Sequence, residues 1–229
     1  MINSQTLSLL EKLSKETLLL EHKCILIGGT AMAYHVQHRV SFDLDICFPY
    51  ALKLPVLAFL NTYKSVVYLE FDRFVKDSAT NDGGDIEEHM KRYILDDIKV
   101  DFVTNTSSNI YENKILKEDE SIVYNNLRIA SLDTIFKLKC LVMLDRNKIR
   151  DLYDVVYLMR FHGFSVDDFL DVIIEYCITY TVKDILRLVE AKNLDPLDTD
   201  GIEEPKMEMV DYDDLRNYIV EVLRQHLKS

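Results

Sequence analysis

The chain has 229 residues, 48% hydrophobic and 29% charged, with six glycines and four prolines, a balance that fits one large folded domain or two small ones and excludes disordered, low-complexity and fibrous classes. No run approaches the roughly 18 to 20 consecutive apolar residues that a membrane helix needs. The net charge of −12 is uneven, with 19 basic against 21 acidic side chains in residues 1–150 and 8 against 18 in residues 151–229; a general basic surface for nucleic acid is thereby excluded, and any such contact must be local to the first two thirds.

Leu7, Leu10, Leu13 and Leu18 recur at near-helical spacing among Lys and Glu, which predicts an amphipathic helix to about Glu21. This start lacks the order of charges, apolar run and small residues of a signal peptide, so the expected location is the cytoplasm. Cys24 to Ile27 reads as a short strand stopped by Gly28-Gly29, and Thr30 can cap a helix from Ala31 to His38. Val40 to Phe48 is expected as a strand, because polar and apolar residues alternate from Ser41 to Ile46.

Beyond Pro49, a helix is expected over Leu54–Tyr63, a strand over Ser65–Val75 and a polar turn over Asp77–Asp85, which contains Asp82-Gly83-Gly84. Tyr93–Leu95 and Ile98–Val103 flank Asp96-Asp97 as one hairpin, and Ile122–Tyr124 with Leu127–Ala130 flank Asn125-Asn126 as another. From Ser131 the spacing is helical through Leu158, then over Asp167–Tyr180, Lys183–Glu190 and Tyr212–Leu227, with a long loop over Asn193–Glu208. The pattern predicts an α+β protein, with a mixed sheet-and-helix domain over residues 1–130 and a helical domain over 131–229.

Cys24, Cys47, Cys140 and Cys177 are scattered among apolar neighbours and read as reduced core residues. His35 and His38 are the one close histidine pair and lack partners at zinc spacing, so they read as ordinary core or surface residues. Asp43 and Asp45, two apart on a predicted strand, project from one face and repel unless a cation lies between them. Carboxylate oxygens so placed suit Mg2+, which binds through one or two carboxylates together with substrate phosphates. Asp101, on a separate strand, is the third candidate. Gly28-Gly29-Thr30, after a strand and at a helix start, lets backbone N–H groups approach a phosphate, although no Walker A Lys follows.

Strand, Gly-Gly-Thr, helix, Asp-x-Asp strand and a later strand Asp together resemble the nucleotidyltransferase fold of the DNA polymerase beta superfamily. The finer resemblance is to the AbiEii/AbiGii toxin family, through Gly28-Gly29-Thr30-Ala31, Arg39-Val40-Ser41-Phe42-Asp43-Leu44-Asp45, the Lys139-to-Arg146 segment and Arg150-Asp151-Leu152-Tyr153-Asp154. It implies a nucleotidyltransferase-fold mixed sheet followed by a C-terminal helical bundle, and a two-metal transfer of a nucleoside monophosphate from an NTP to an RNA end, tRNA among them, or to a protein hydroxyl. Two Mg2+ ions, replaceable by Mn2+, would be held by Asp43, Asp45 and Asp101. Gly28, Gly29, Thr30, Arg39, Lys139, Arg146 and Arg150 would bind the nucleotide, Arg39 either on phosphate or orienting Asp43. Lys139, Arg146, Arg150 and Asp154 also fall at helical offsets that share one face. A separate antitoxin chain would be the partner, with no membrane involved. The alternative is a catalytically silent module of the same fold whose acidic C-terminal part binds a partner.

Overall fold

The computed structural model describes residues 2–81, 84–106, 109–193, 202, 207–208 and 211–228. In chain order the elements are α1 (Ser4–Leu13), α2 (Thr17–Glu21), β1 (Ile25–Ile27), α3 (Gly28–Val36), β2 (Leu44–Phe48), a 3-10 turn (Ala58–Thr62), β3 (Val66–Leu69), α4 (Arg73–Asn81) and α5 (Ile86–His89). They continue with β4 (Met90–Leu95), β5 (Ile98–Thr104), α6 (Ile110–Lys117), β6 (Ile122–Tyr124), β7 (Leu127–Ile129), α7 (Leu132–Asp145), α8 (Ile149–Phe161), α9 (Val166–Tyr176), α10 (Val182–Glu190) and α11 (Tyr212–His226).

The seven strands form one mixed sheet in the order β3-β4-β5-β2-β1-β7-β6. Both predicted hairpins are present: β4 and β5 pair antiparallel, as do β6 and β7. Asp96 and Asp97 both take positive φ, 47° and 72°, the two-residue turn whose twist suits a hairpin. The centre is mixed, because β1 runs antiparallel to β2 but parallel to β7, and β2 runs parallel to β5. α3 lies on β1 and β2 and packs against α7, which in turn contacts α6, α8 and α9. One continuous buried cluster joins sheet residues such as Ile25, Leu44 and Phe102 to helical residues such as Phe136, Tyr153, Ile173 and Leu223.

Several expected elements are shorter or different. The opening helix breaks after Leu13, where Ser14 caps α1 and its backbone N–H donates to the Leu10 carbonyl. α3 begins at Gly28, with Ile27 rather than Thr30 at the capping position. β2 begins only at Leu44, because Ser41 is diverted into an isolated bridge with Ile2. Leu54–Tyr63 yields only the 3-10 turn.

The expected strand over Ser65–Val75 is β3 alone. Asp72 ends that run by accepting hydrogen bonds from the Phe74 and Val75 amides, which starts α4 inside what reads as turn. Asp82 and Gly83 of that turn lie outside the described residues, as does most of Asn193–Glu208. α6, absent from the sequence reading, is capped by Asn109, whose side chain accepts from the Tyr111 and Glu112 amides. The single helix expected through Leu158 divides into α7 and α8, so residues 146–148 form a connection rather than a helical face. α9 ends at Tyr176, short of Tyr180.

Among the described residues no helix is long and apolar enough to cross a membrane.

Candidate active site

Backbone register assembles the acidic residues. In the parallel β2–β5 pairing Asp45 stands opposite Asp101, and in the antiparallel pairings Ile27 stands opposite Asp45 and Arg92 opposite Asp101. One row across four strands therefore reads Ile27, Asp45, Asp101, Arg92. Asp43 sits one residue before β2 and two before Asp45. All three acids line a cleft of about 900 Å3, together with Gly28, Gly29, Arg39, Arg92, Lys99, Lys139, Arg146, Lys148 and Arg150.

The glycine pair is a matter of space. Gly28 has φ +73°, and a Cβ there would overlap Asp45 Oδ2; at Gly29 it would lie 2.8 Å from Arg39 Nη2 and 3.2 Å from Ser41 Oγ. The absence of side chains lets α3 start against both the acid row and Arg39.

Partial burial and the neighbouring charges of Asp43 and Asp101 push the Asp45 carboxyl up to about 6, against the pull of Lys99 and Lys139. Asp101 is 5% exposed. Its Oδ2 lies 3.0 Å from Lys99 Nζ and 3.7 Å from Arg92 Nε, and its Oδ1 is buried without a hydrogen-bond partner. Arg92 is braced by the Phe71 ring, 4.6 Å from its guanidinium carbon. Among the described residues no three His, Cys, Asp or Glu side chains are gathered closely enough to hold a metal ion; Asp101 is drawn toward cations instead.

Beneath the cleft lies a buried charge cluster centred on Asp154, which is fully buried. Arg39 grips it with two hydrogen bonds, Nε to Oδ1 at 2.8 Å and Nη2 to Oδ2 at 3.0 Å. Lys139 Nζ lies 2.7 Å from Asp154 Oδ2 and 3.1 Å from Asp151 Oδ1. His38 Nε2 is 2.7 Å from Asp154 Oδ1. Burial alone would raise the Asp154 carboxyl, but Arg39, Lys139 and His38 hold it well below its usual range. Burial lowers His38; because a carboxylate only accepts, Nε2 is the ring nitrogen that carries a proton toward Asp154.

Of the candidates read from sequence, the fold brings Gly28, Gly29, Arg39, Asp43, Asp45, Asp101, Lys139, Arg146 and Arg150 to one cleft. Thr30 is apart from that lining: it is 1% exposed, and its hydroxyl donates to the Asp43 carbonyl and lies 2.8 Å from Ser41 Oγ. It fixes the backbone that carries Asp43. Thr6 does the same one residue earlier, donating to the Phe42 carbonyl at 2.9 Å. Arg39 hydrogen-bonds Asp154, and Asp43 adds to the negative charge that acts on its guanidinium. Arg146 and Arg150 reach the cleft from the α7–α8 connection and the start of α8, not along one helical face with Lys139.

Lys99, Arg92, Lys148 and His38 were not among the sequence candidates. Two of them carry a signal: Lys99 shares the strand face of Asp101 two residues away, and counting outward from the Asp96-Asp97 turn places Arg92 opposite Asp101. Lys148 and His38 carry none, since a helix break and a buried neighbour decide their roles.

This sheet, with a glycine turn feeding a helix beside an acidic strand row, is a nucleotidyltransferase fold. Two solved structures resemble the whole chain. JHP933 from Helicobacter pylori aligns with a TM-score of 0.52 and 18% identity over 100% of this chain and 94% of its own. An H. pylori chain assigned as a nucleotidyltransferase aligns with a TM-score of 0.53 and 17% identity over 99% and 96%. The sequence profile of the family described as "Nucleotidyl transferase AbiEii toxin, Type IV TA system" matches residues 10–226, and the chain belongs to that family. No curated protein matches it.

Proposed function

We propose that the chain transfers a nucleoside monophosphate from a nucleoside triphosphate to an RNA end, such as that of tRNA, or to a protein hydroxyl, using Mg2+, and that it acts as the toxin of a pair whose antitoxin is a separate chain. The observation that carries the reading is the row of Asp45 and Asp101, with Asp43 beside it, in a cleft also lined by Lys139, Arg146, Lys148 and Arg150. Anions in line with one another and cations around them suit a polyphosphate and its counterions, and little else.

The chemistry of the donors suits Mg2+, since three carboxylates supply hard oxygen ligands and Asp101 Oδ1 is a buried acceptor with no partner; the three are not gathered to metal-binding distance in this structure, and Asp101 would have to exchange Lys99 and Arg92 for the ion. Asp43, Asp45 and Asp101 would hold two such ions, which when bound lower the pKa of the acceptor hydroxyl and offset phosphate charge. Gly28 and Gly29 let the start of α3 lie close against Asp45 and Arg39 and so bring its first backbone N–H groups to the cleft. Lys139 spends two of its three donors on Asp151 and Asp154 and is anchored at the cleft wall. Arg146, Lys148 and Arg150 offer charge to the phosphates. Transfer forms a bond from the acceptor oxygen to the α-phosphorus, breaks the bond to the bridging oxygen and releases pyrophosphate. Arg39 and Thr30 act by position, one through Asp154 and the other through the Asp43 carbonyl.

The test uses purified protein with Mg2+, each α-labelled nucleoside triphosphate in turn, and small RNA or lysate protein as acceptors. Label should pass to one acceptor class with the wild type and not with Asp45→Asn. Toxicity that persists unchanged in Asp45→Asn would sink the assignment and leave the silent binding module.

A further inference from the structure

The cationic connection between α7 and α8 has no regular structure of its own, yet it carries Arg146 and Lys148 and leads directly into Arg150. An exposed connection with several like charges should splay apart. What holds it comes from 46 residues further along the chain. Lys192, just past the end of α10, is 8% exposed and extends its ammonium under the connection. Its Nζ lies 3.1 Å from the Leu144 carbonyl, 3.0 Å from the Arg146 carbonyl and 3.4 Å from Asn147 Oδ1.

All three ammonium donors are thus directed at the last turn of α7 and the residues after it. Two of the acceptors are carbonyls at a helix C-terminus, where intrahelical partners run out and where the helix dipole favours a positive charge. A lysine of the same chain therefore serves as a cap delivered from a distant element. It is itself held, because the Tyr212 hydroxyl at the start of α11 donates to the Lys192 carbonyl. A separate, exposed pair joins Arg224 of α11 to Glu190 of α10 at 2.8 Å and involves neither Lys192 nor its acceptors. Among the described residues neither Arg146 nor Arg150 has a carboxylate within ion-pair distance, so their guanidinium groups are not consumed by the fold.

We infer that Lys192 is a positioning residue of the active site: it fixes the backbone of residues 144–147 so that Arg146, Lys148 and Arg150 face the cleft and bind the polyphosphate of the substrate. This gives α10 and α11, remote from the acid row, a part in nucleotide binding. It rests on the reading of the cleft as a triphosphate site.

The test measures binding of inorganic tripolyphosphate by calorimetry in Mg2+ buffer, with wild type, Lys192→Met, Lys192→Gln, Arg224→Met and the double variant Arg146→Met/Arg150→Met. Lys192→Gln keeps an amide NH2 with two donors but no charge, and is read if the methionine variant does not fold. Releasing the connection so that the competent arrangement is populated about one time in ten should weaken binding about tenfold. In the transfer reaction the nucleotide KM should rise by a similar factor while kcat is largely kept. Arg224→Met removes an exposed surface pair of little worth to stability, leaves the Lys192 contacts in place and should bind as wild type does. Wild-type affinity in a folded Lys192 variant, or equal weakening in Arg224→Met, overturns the inference while the cleft reading stands. Absence of binding by the wild type, or full binding by the double arginine variant, overturns both.

Discussion

Arg39 and Asp154, 115 residues apart, meet in a two-point ion pair that is closed to solvent. Through it the α3–β2 loop is locked to α8, and Lys139 of α7 joins at the same carboxylate. A charge so enclosed persists only because it is fully partnered. Asp154→Ala leaves Arg39 and Lys139 buried near one another without their shared anion. The expected loss is about 3–5 kcal/mol of unfolding free energy, read from the midpoint of a urea titration, and unchanged stability would show that the cluster is dispensable to the fold.

Asp45 gives a pH dependence of definite sign. Its folded value, about 6, lies above its ordinary 3.8, so between these limits the folded state binds more protons than the unfolded chain. The contribution is full below the ordinary value and is lost as pH rises through the folded one. Asp45→Asn should therefore stabilise the metal-free protein by about 1–3 kcal/mol near pH 7.5 and by almost nothing near pH 4. Thermal melts across that range in a chelating buffer check this; a variant less stable than wild type at pH 7.5 contradicts it.

Thr30 separates a backbone role from a phosphate role. Thr30→Val keeps the shape and removes the donor to the Asp43 carbonyl, at a cost of about 1–3 kcal/mol for a buried acceptor left unmade. Thr30→Ser keeps the hydroxyl. If Thr30 acts through Asp43, the valine variant loses kcat with little change in nucleotide KM and the serine variant recovers most of it. A rise in KM in both variants would instead place Thr30 on the substrate.

Two glycines with positive φ separate strain from collision. Gly163 has φ +79° with nothing within 4 Å of a Cβ, whereas Gly28 has φ +73° and faces Asp45. Gly163→Ala should cost about 1 kcal/mol and leave transfer intact. Gly28→Ala carries the same strain and also displaces the Asp45 carboxylate, so transfer should be abolished while the protein stays folded. Equal activities in steady-state assays would mean that Asp45 can move without penalty.

Much of the site was legible in the sequence because it depends on local rules. The alternation around Asp43 and Asp45, the glycine pair after a strand, and the Asp96-Asp97 turn each have a short-range physical cause, and the fold uses them. Two of the misread elements turned on one capping side chain each. Asp72 converts the tail of an apolar run into α4, and Asn109 opens α6 where no strong period is visible. The continuous helix expected through Leu158 has the right composition, but the helical hydrogen-bond ladder ends at Asp145, and Lys192 satisfies carbonyls there from far away in sequence. The partners of Arg39 likewise depend on how α8 meets the loop between α3 and β2, which no spacing encodes.

The parallel pairing of β2 with β5 has a consequence for folding fidelity. On β5 the residues flanking Asp101 are Val100 and Phe102, both wholly buried, and neighbouring residues of a strand face opposite ways. A slip of one position would drive a carboxylate into the hydrocarbon interior and turn an aromatic ring out into the cleft. The greasy underside of the sheet thus acts as a proofreader for its charged upper side: a chain that has aligned its acids wrongly is also one that has failed to close its core.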